Sequence, residues 1–348
     1  MYSEPVSQTS LGGTSSQKMA LVKMKVLIFE WLTGGGLWFE GLGVDQNCPF
    51  QSQGRSMFEA LAIDVRNSGH QVLWTRDCRV RPNPGSQLDS KPLVISNDAH
   101  LQLAITCLAD EADAILIIAP ECDGCLSRVL GWLTPHQAKL ASPNAAFVEL
   151  ASDKHATTQW LRKRGIAVPD GVRVSSLHDA KDRVSLPAIG KPNRGAGSDG
   201  IVLINNWNDP DLPTVNADWC VESFVPGTSL SVSVLSDGKQ QVMLPPTGQV
   251  FDRPLGHYVA AKYPLAHAIA EQATELAWAT SRALPPTKGY FGIDMIIGEN
   301  DARVLEVNPR LTMSYVWLRQ ILPFNLAQKM LEMAAPWHAT PKSPLSSP

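Results

Sequence analysis

Residues 304–308 read Val-Leu-Glu-Val-Asn, an alternation that marks a strand with Glu306 and Asn308, two positions apart, on one face. The run 291–296 holds a single acid, Asp294, among apolar neighbours, and a carboxylate buried in that way needs a partner. Two carboxylates and an amide oxygen are the hard donors that Mg²⁺ takes, with substrate phosphates commonly completing the octahedron. The competing account satisfies Asp294 with backbone donors and Glu306 with a cation such as Arg310. It suits one acid better than three oxygen donors on adjoining strands. The pairing sets a condition on the hairpin. Asp294 shares a face with Glu306 if the two stand opposite each other, which a three-residue loop at 299–301 achieves by pairing Gly298 with Ala302. A four-residue loop would pair Ile297 with Ala302 and send Asp294 to the other face unless a bulge intervenes.

A second chemical signal lies at 195–200, Gly-Ala-Gly-Ser-Asp-Gly, which matches the G-x-G-x-x-G string of dinucleotide folds. That fingerprint works by opening a helix onto a pyrophosphate, whereas here Ile-Val-Leu-Ile at 201–204 reads as a strand. The glycines therefore form a loop between strands. With Lys191 on the first strand and Arg194 at the loop entrance, backbone N–H groups and cations can converge on phosphates. An ordinary turn needing positive φ is the equal alternative for the loop alone. No G-x-x-x-x-G-K-[ST] string is present. A lysine on such a strand has little apolar work to do, so its removal is expected to weaken nucleotide binding and spare the fold.

The elements that must hold these groups fall into two rhythms. Up to about residue 150 the chain alternates buried strands (22–31, 71–75, 114–119) with a helix at 56–67, capped by Ser56 and ended by Gly69, which reads as an open βαβ-type sheet. From Ser152, expected to cap a helix to about Arg164, short β-rich runs follow at 186–191, 201–205, 219–224, 230–235 and 240–244. A helix at 265–283, strands at 290–297 and 302–308 and a last helix at 325–333 complete an α+β unit. The Ser/Thr-rich stretch 1–21 and the Pro/Ser-rich stretch 336–348 have little to bury and are expected to be loose tails. Thirty Lys and Arg against 33 Asp and Glu leave a formal charge of -3, which gives no reason to expect nucleic acid or an anionic membrane as partner. No apolar run reaches the roughly 18 residues of a membrane helix, the opening stretch lacks a signal-peptide core, and six sparse cysteines suit a reducing compartment, so a cytoplasmic protein is expected.

In this order the segments resemble the ATP-grasp superfamily from about Ser152 to Arg310, with a preceding domain at 22–150. The resemblance implies an ATP-grasp fold, α/β then α+β: an N-terminal Rossmann-like (pre-grasp) domain at 22–150 and two α+β subdomains, 151–225 and 226–335, clasping ATP. Asp153-Lys154 resembles the family's first phosphate lysine and Gly190-Lys191-Pro192 its second. Residues 194–200 resemble the flexible loop over the triphosphate, which implies roles for Arg194, Gly195, Gly197 and Ser198. Residues 221–227 are similar to the hinge strand, with Glu222 and the Phe224-Val225 backbone facing adenine. Relatives often place a ribose-binding acid just beyond, where this chain has Ser229. Asp294, Glu306 and Asn308 match the metal ligands, for Mg²⁺ or Mn²⁺, and Arg310 the cation beside the transferred phosphate. The start at 26–31 with Gly34-Gly35-Gly36 resembles the small group that includes tyramine-glutamate ligase of methanofuran biosynthesis. There the triple glycine would approach a substrate carboxylate or act as a flexible turn.

The resemblance implies an ATP-dependent carboxylate–amine ligase. ATP phosphorylates a carboxylate, and an amine displaces phosphate from the acyl phosphate, with Lys191 and Arg310 as the catalytic cations and glutamate and tyramine as a candidate substrate pair. Small-molecule substrates are the expected partners, and a homodimer is left open. The alternatives are another enzyme on the same scaffold, such as a peptide ligase, carboxylase or kinase, or a non-catalytic nucleotide-binding module. Cys122-Asp123-Gly124-Cys125 has no second cysteine pair and no histidine at ligand spacing, and reads as buried or idle thiols. Trp160 and Trp278 fall in helical patterns and read as core, and no histidine has a nucleophile partner that would make it a base.

Overall fold

The computed structural model describes residues 23–45, 48–82, 88, 90–197, 200–215, 218–299 and 301–334; the tails expected at 1–21 and 336–348 and the candidate Ser198 lie outside them. The first unit is a four-stranded parallel sheet in the order β3-β2-β1-β4, formed by β1 (Lys25–Glu30), β2 (Gln71–Asp77), β3 (Leu93–Ile95) and β4 (Ala114–Ile118). β4 and all of β1 beyond Lys25 are buried, as covering on both faces requires. Glu30 ends β1 by accepting N–H bonds from Leu32 and Thr33, which starts the single turn α1 (Trp31–Gly34). The triple glycine follows in closely packed chain. A Cβ on Gly36 would lie 2.2 Å from the Trp31 indole, so close packing is what the residue serves.

Helix α2 (Pro49–Asn67) corrects the helix expected at 56–67. It starts with Pro49 in its first turn, and Ser56 is interior, donating to the Ser52 carbonyl. Helices α3 (Asp98–Glu111) and α4 (Cys125–Trp132) complete this unit. Around residue 152 the single expected helix is two. Ser152 closes α5 (Ala145–Ser152), and Asp153 caps α6 (Lys154–Arg162) by accepting from Ala156 N at 2.8 Å.

A four-stranded antiparallel sheet follows in the order β5-β8-β6-β7, from β5 (Gly171–Val174), β6 (Ala188–Pro192), β7 (Val202–Ile204) and β8 (Trp219–Ser223). The last sheet is antiparallel, β12-β11-β9-β13-β14 with β10 also on β9: β9 (Thr228–Asp237), β10 (Gln241–Met243), β11 (Thr247–Phe251), β12 (Tyr258–Lys262), β13 (Lys288–Ile297) and β14 (Ala302–Asn308). Helix α7 (His267–Ala283) covers its core face, packing Ala273 and Ala277 with Val232, Ile293 and Val304. Helices α8 (Ser314–Ile321) and α9 (Leu326–Ala334) return to the first unit, and their Leu318, Leu326 and Leu331 share a core with Val26, Ile28 and Leu61. Among the described residues no helix is long and apolar enough to cross a membrane.

The β13–β14 hairpin reaches the expected pairing by the unexpected route. Its tip pairs Ile297 with Ala302, the four-residue alternative, with Gly298 N donating to Asp301 O at 2.7 Å. A bulge at Leu305 then restores Asp294 opposite Glu306. The same irregularity lets the neighbours Leu305 and Glu306 both face the cleft while Val304 and Val307 are both buried in the core.

Candidate active site

The two antiparallel sheets enclose a cleft of about 630 Å³, closed on a third side by Gln53 and Met57 of α2. On its floor, Ser231 of β9 pairs across to Asp294 of β13, and Asp294 to Glu306 of β14, so three oxygen-bearing side chains share one row and one face. Asn308 stands beside them, its amide nitrogen donating to Asp294 Oδ2 at 3.0 Å. Burial and the adjacent Glu306 charge push the Asp294 carboxyl up to about 7. Glu306 goes the other way: burial works against its charge, but Lys154 and Lys191 outweigh it and hold the group below the usual carboxylate range.

Lys154 hangs from the first turn of α6, which Asn193 stitches to the end of β6 by accepting at its carbonyl from Lys154 N and at its side chain from His155 N. Its ammonium donates to the Gly195 carbonyl at 2.5 Å and lies 3.3 Å from Glu306 Oε2. Lys191 lines the cleft from β6, and its ammonium binds Glu222. The two share a face because Lys191 pairs with Cys220, two positions before Glu222. Burial opposes the Lys191 charge, but Glu222 and Glu306 prevail and keep the group above the ordinary ammonium range. Gly195, Ala196 and Gly197 form the lip. Gly197 has φ +68°, and a Cβ there would lie 2.3 Å from the Phe50 ring of α2. Phe224, Val225 and Ser229 line the other end, where Ser229 Oγ donates to Gln249 Oε1 at 2.5 Å.

Two expectations need correction. Arg194 does not reach the cleft; its guanidinium turns to Glu149 at 2.6 Å and Asp153 at 3.7 Å, because α5 and α6 place two acids behind the loop. Glu222 does not present its carboxylate to a base. It is buried against Lys191, the nearest cation on its face of the sheet. Nor does Arg310 satisfy Glu306, a contact made by Lys154. Arg310 lines the cleft and offers two of its nitrogens to Glu121, at 2.5 and 3.2 Å. Burial works against its charge and Glu121 outweighs it, so the guanidinium stays charged.

Sequence reasoning missed Glu121, Ser231 and Gln249. Glu121 had a signal, since an acid just past a buried parallel strand stands where open α/β sheets bind ligands. Ser231 carried none beyond alternation in its strand. Among the described residues no three His, Cys, Asp or Glu side chains gather to hold a metal. The donor set is instead mixed, Asp294, Glu306 and Asn308. Two facts suit it to a hard cation: the raised carboxyl of the buried Asp294, and the place of Ser231 and Glu306 on either side of it in the same row.

Residues 151–314 match the ATP-grasp domain family, and residues 70–147 match the pre ATP-grasp 3 domain family. D-alanine–D-alanine ligase A of Bacillus cereus is 26% identical over an alignment of 182 residues that takes in 47% of this chain and 60% of that ligase, so the match spans less than two thirds of the relative. Tyramine–L-glutamate ligase of Methanocaldococcus jannaschii is 20% identical over 300 residues, 86% of each chain. The crystal structure of a putative ATP-grasp superfamily protein from Archaeoglobus fulgidus superimposes with a TM-score of 0.65 at 18% identity, covering 89% of this chain and 88% of that one, a likeness of fold. The chain thus carries a region that matches the pre ATP-grasp 3 domain, at 70–147, followed by one that matches the ATP-grasp domain, at 151–314.

Proposed function

We propose that the protein is an ATP-dependent carboxylate–amine ligase that makes an amide bond through an acyl phosphate. One observation carries the reading: across a single cleft, the ammonium groups of Lys154 and Lys191 and the Gly195–Gly197 lip face the oxygen row of Asp294, Glu306 and Asn308. Cations and backbone donors suit a triphosphate, and Asp294, Glu306 and Asn308 would hold Mg²⁺ or Mn²⁺, which neutralises phosphate charge when bound. A carboxylate is a poor acyl donor because oxide would have to leave; once phosphorylated, phosphate leaves instead. Lys191 and Lys154 orient the phosphates, and Arg310, steadied by Glu121, faces the same cleft to stabilise the acyl phosphate and its tetrahedral successor. Phe224, Val225 and Leu305 supply apolar surface for the adenine.

We further infer small substrates that bring one carboxylate and one amine. Glutamate and tyramine are the first pair to try, supported by the relative that matches over most of the chain. Purified protein with Mg²⁺-ATP is offered carboxylates and amines singly and in pairs. ADP release that needs both substrates, and a product whose mass is their sum less water, is the expected result. ADP release with a phosphorylated product from one substrate alone would identify a kinase, and no turnover with any pair would remove the ligase reading.

A further inference from the structure

Glu121 leads directly into a turn that carries two thiols. Cys122 opens a short 3-10 turn in which Asp123 has φ +51° and Gly124 φ +69°, and Cys125 N donates to Cys122 O as α4 begins. A turn closed in this way keeps its end Cα atoms within about 7 Å, and a disulfide spans about 4.4–6.8 Å. Cys122 is half-buried and Cys125 buried. The Cys125 thiol donates to Glu40 Oε1 at 3.0 Å, the same oxygen that accepts from Trp31 Nε1. Contact with Cys125 draws the Cys122 thiol below its ordinary range against the opposing effect of burial, and the Arg310 charge helps. Cys125 is pushed up by Cys122, by burial and by Glu40. Cys122 thus feels the Arg310 charge, and Cys125 stands against the Glu40 carboxylate.

We propose that Cys122 and Cys125 form a peroxide-sensitive dithiol that controls the contact between Glu121 and Arg310. Its chemistry is independent of the ligase reading, and its consequence for turnover rests on it. The Cys122 thiolate attacks one oxygen of hydrogen peroxide; the O–O bond breaks, leaving a sulfenic acid on Cys122 and hydroxide, which takes up a proton to become water. The Cys125 sulfur, its proton passing to Glu40, then attacks the Cys122 sulfur. The S–S bond forms, the S–O bond breaks, and the departing hydroxide is protonated to a second water. Two thiols have lost two electrons and two protons, and a dithiol reductant returns them. Closing the bond brings the sulfurs to about 2.05 Å, which draws Cys122 toward α4 and takes the preceding residue, Glu121, out of register with the Arg310 fork.

The test treats the full-length protein with hydrogen peroxide and then dithiothreitol, with peptide mapping by mass and ATP turnover read in each state. The expected result is a Cys122–Cys125 disulfide in the wild type, reversed by the reductant, and a fall in turnover of about tenfold with little change in KM for ATP. The unaltered KM marks an effect on Arg310 and not on the phosphate cradle. Cys122→Ser and Cys125→Ser should keep the basal rate and lose the response, whatever happens at the exposed Cys78 and Cys107. Absence of the mapped bond overturns the proposal, and a mapped bond with unchanged turnover overturns the control of Arg310. If neither redox state turns over any substrate pair, the ligase reading fails, and the mapped bond alone decides for or against the dithiol.

Discussion

Lys191 shows how a pair changes what a single side chain is expected to do. From the strand alone, its replacement should spare the fold; in the structure, Lys191→Ala strands the buried Glu222 carboxylate. Breaking a buried pair costs about 3–5 kcal/mol, so the variant is expected to melt well below the wild type in thermal denaturation. Lys191→Met with Glu222→Gln should recover most of that loss and still bind ATP at least about tenfold more weakly, because the charge-assisted contact is gone. Calorimetric titration with Mg²⁺-ATP reads the second part, and unchanged affinity in the folded double variant would remove Lys191 from the phosphate site. Asp294 gives a pH dependence. Its folded carboxyl titrates near 7, above the unfolded value, so the stability it contributes is full below the unfolded pKa and lost as pH rises through about 7. Asp294→Asn should therefore stabilise the metal-free protein at about pH 8 and much less at about pH 5. Mg²⁺ should raise the wild-type melting temperature more at the higher pH, where the charged carboxylate is available. Equal shifts at both pH values would contradict the assignment.

At the scale of elements, the Leu305 bulge allows two properties to be separated. Deleting Leu305 removes the extra residue, so β14 runs on regularly from Ala302 with Asp294 still opposite Glu306. The deletion should keep Mg²⁺-dependent stabilisation while weakening nucleotide binding, since it removes apolar surface from the cleft. Loss of both would mean that the bulge also sets the donor geometry. The glycine lip offers a second check. With Mg²⁺-ATP its amides should gain hydrogen-exchange protection, whereas Gly197→Ala, strained at φ +68° and pressed on Phe50, should reduce nucleotide affinity severalfold. Equal protection in both states would count against a lid. Much of this level was legible in the sequence. The 302–308 strand, the parallel sheet and the long helix before β13 follow from periodicity alone. What escaped were short strands such as β5, β11 and β12, made from mixed polar runs, and the start of α2, where Pro49 and not Ser56 opens the helix. The site was legible where chemistry is local, as in Glu306 and Asn308. It was hidden where a partner comes from another element, as with Glu121 on Arg310 and Glu222 on Lys191.

Across the whole molecule, one carboxylate joins the beginning to the end. Asp64 of α2 accepts from Tyr315 Oη at 2.7 Å and from Arg319 at 2.8 and 2.5 Å, and its backbone carbonyl accepts from Asn325 at 2.8 Å. Asp64→Ala leaves Arg319 without that partner, so stability should fall by about 3–5 kcal/mol, and calorimetry should show the single transition broadening toward two. A sharp unfolding step at the wild-type temperature would show that the contact binds nothing together. The core beneath it mixes Val26, Ile28 and Leu61 with Leu318, Leu326 and Leu331. For a chain emerging from the ribosome, this sets a schedule. β1 and α2 cannot cover this apolar face until the later helices α8 and α9 have left the exit tunnel, so the face stays open to chaperones, or to other nascent chains, while every element between them is made.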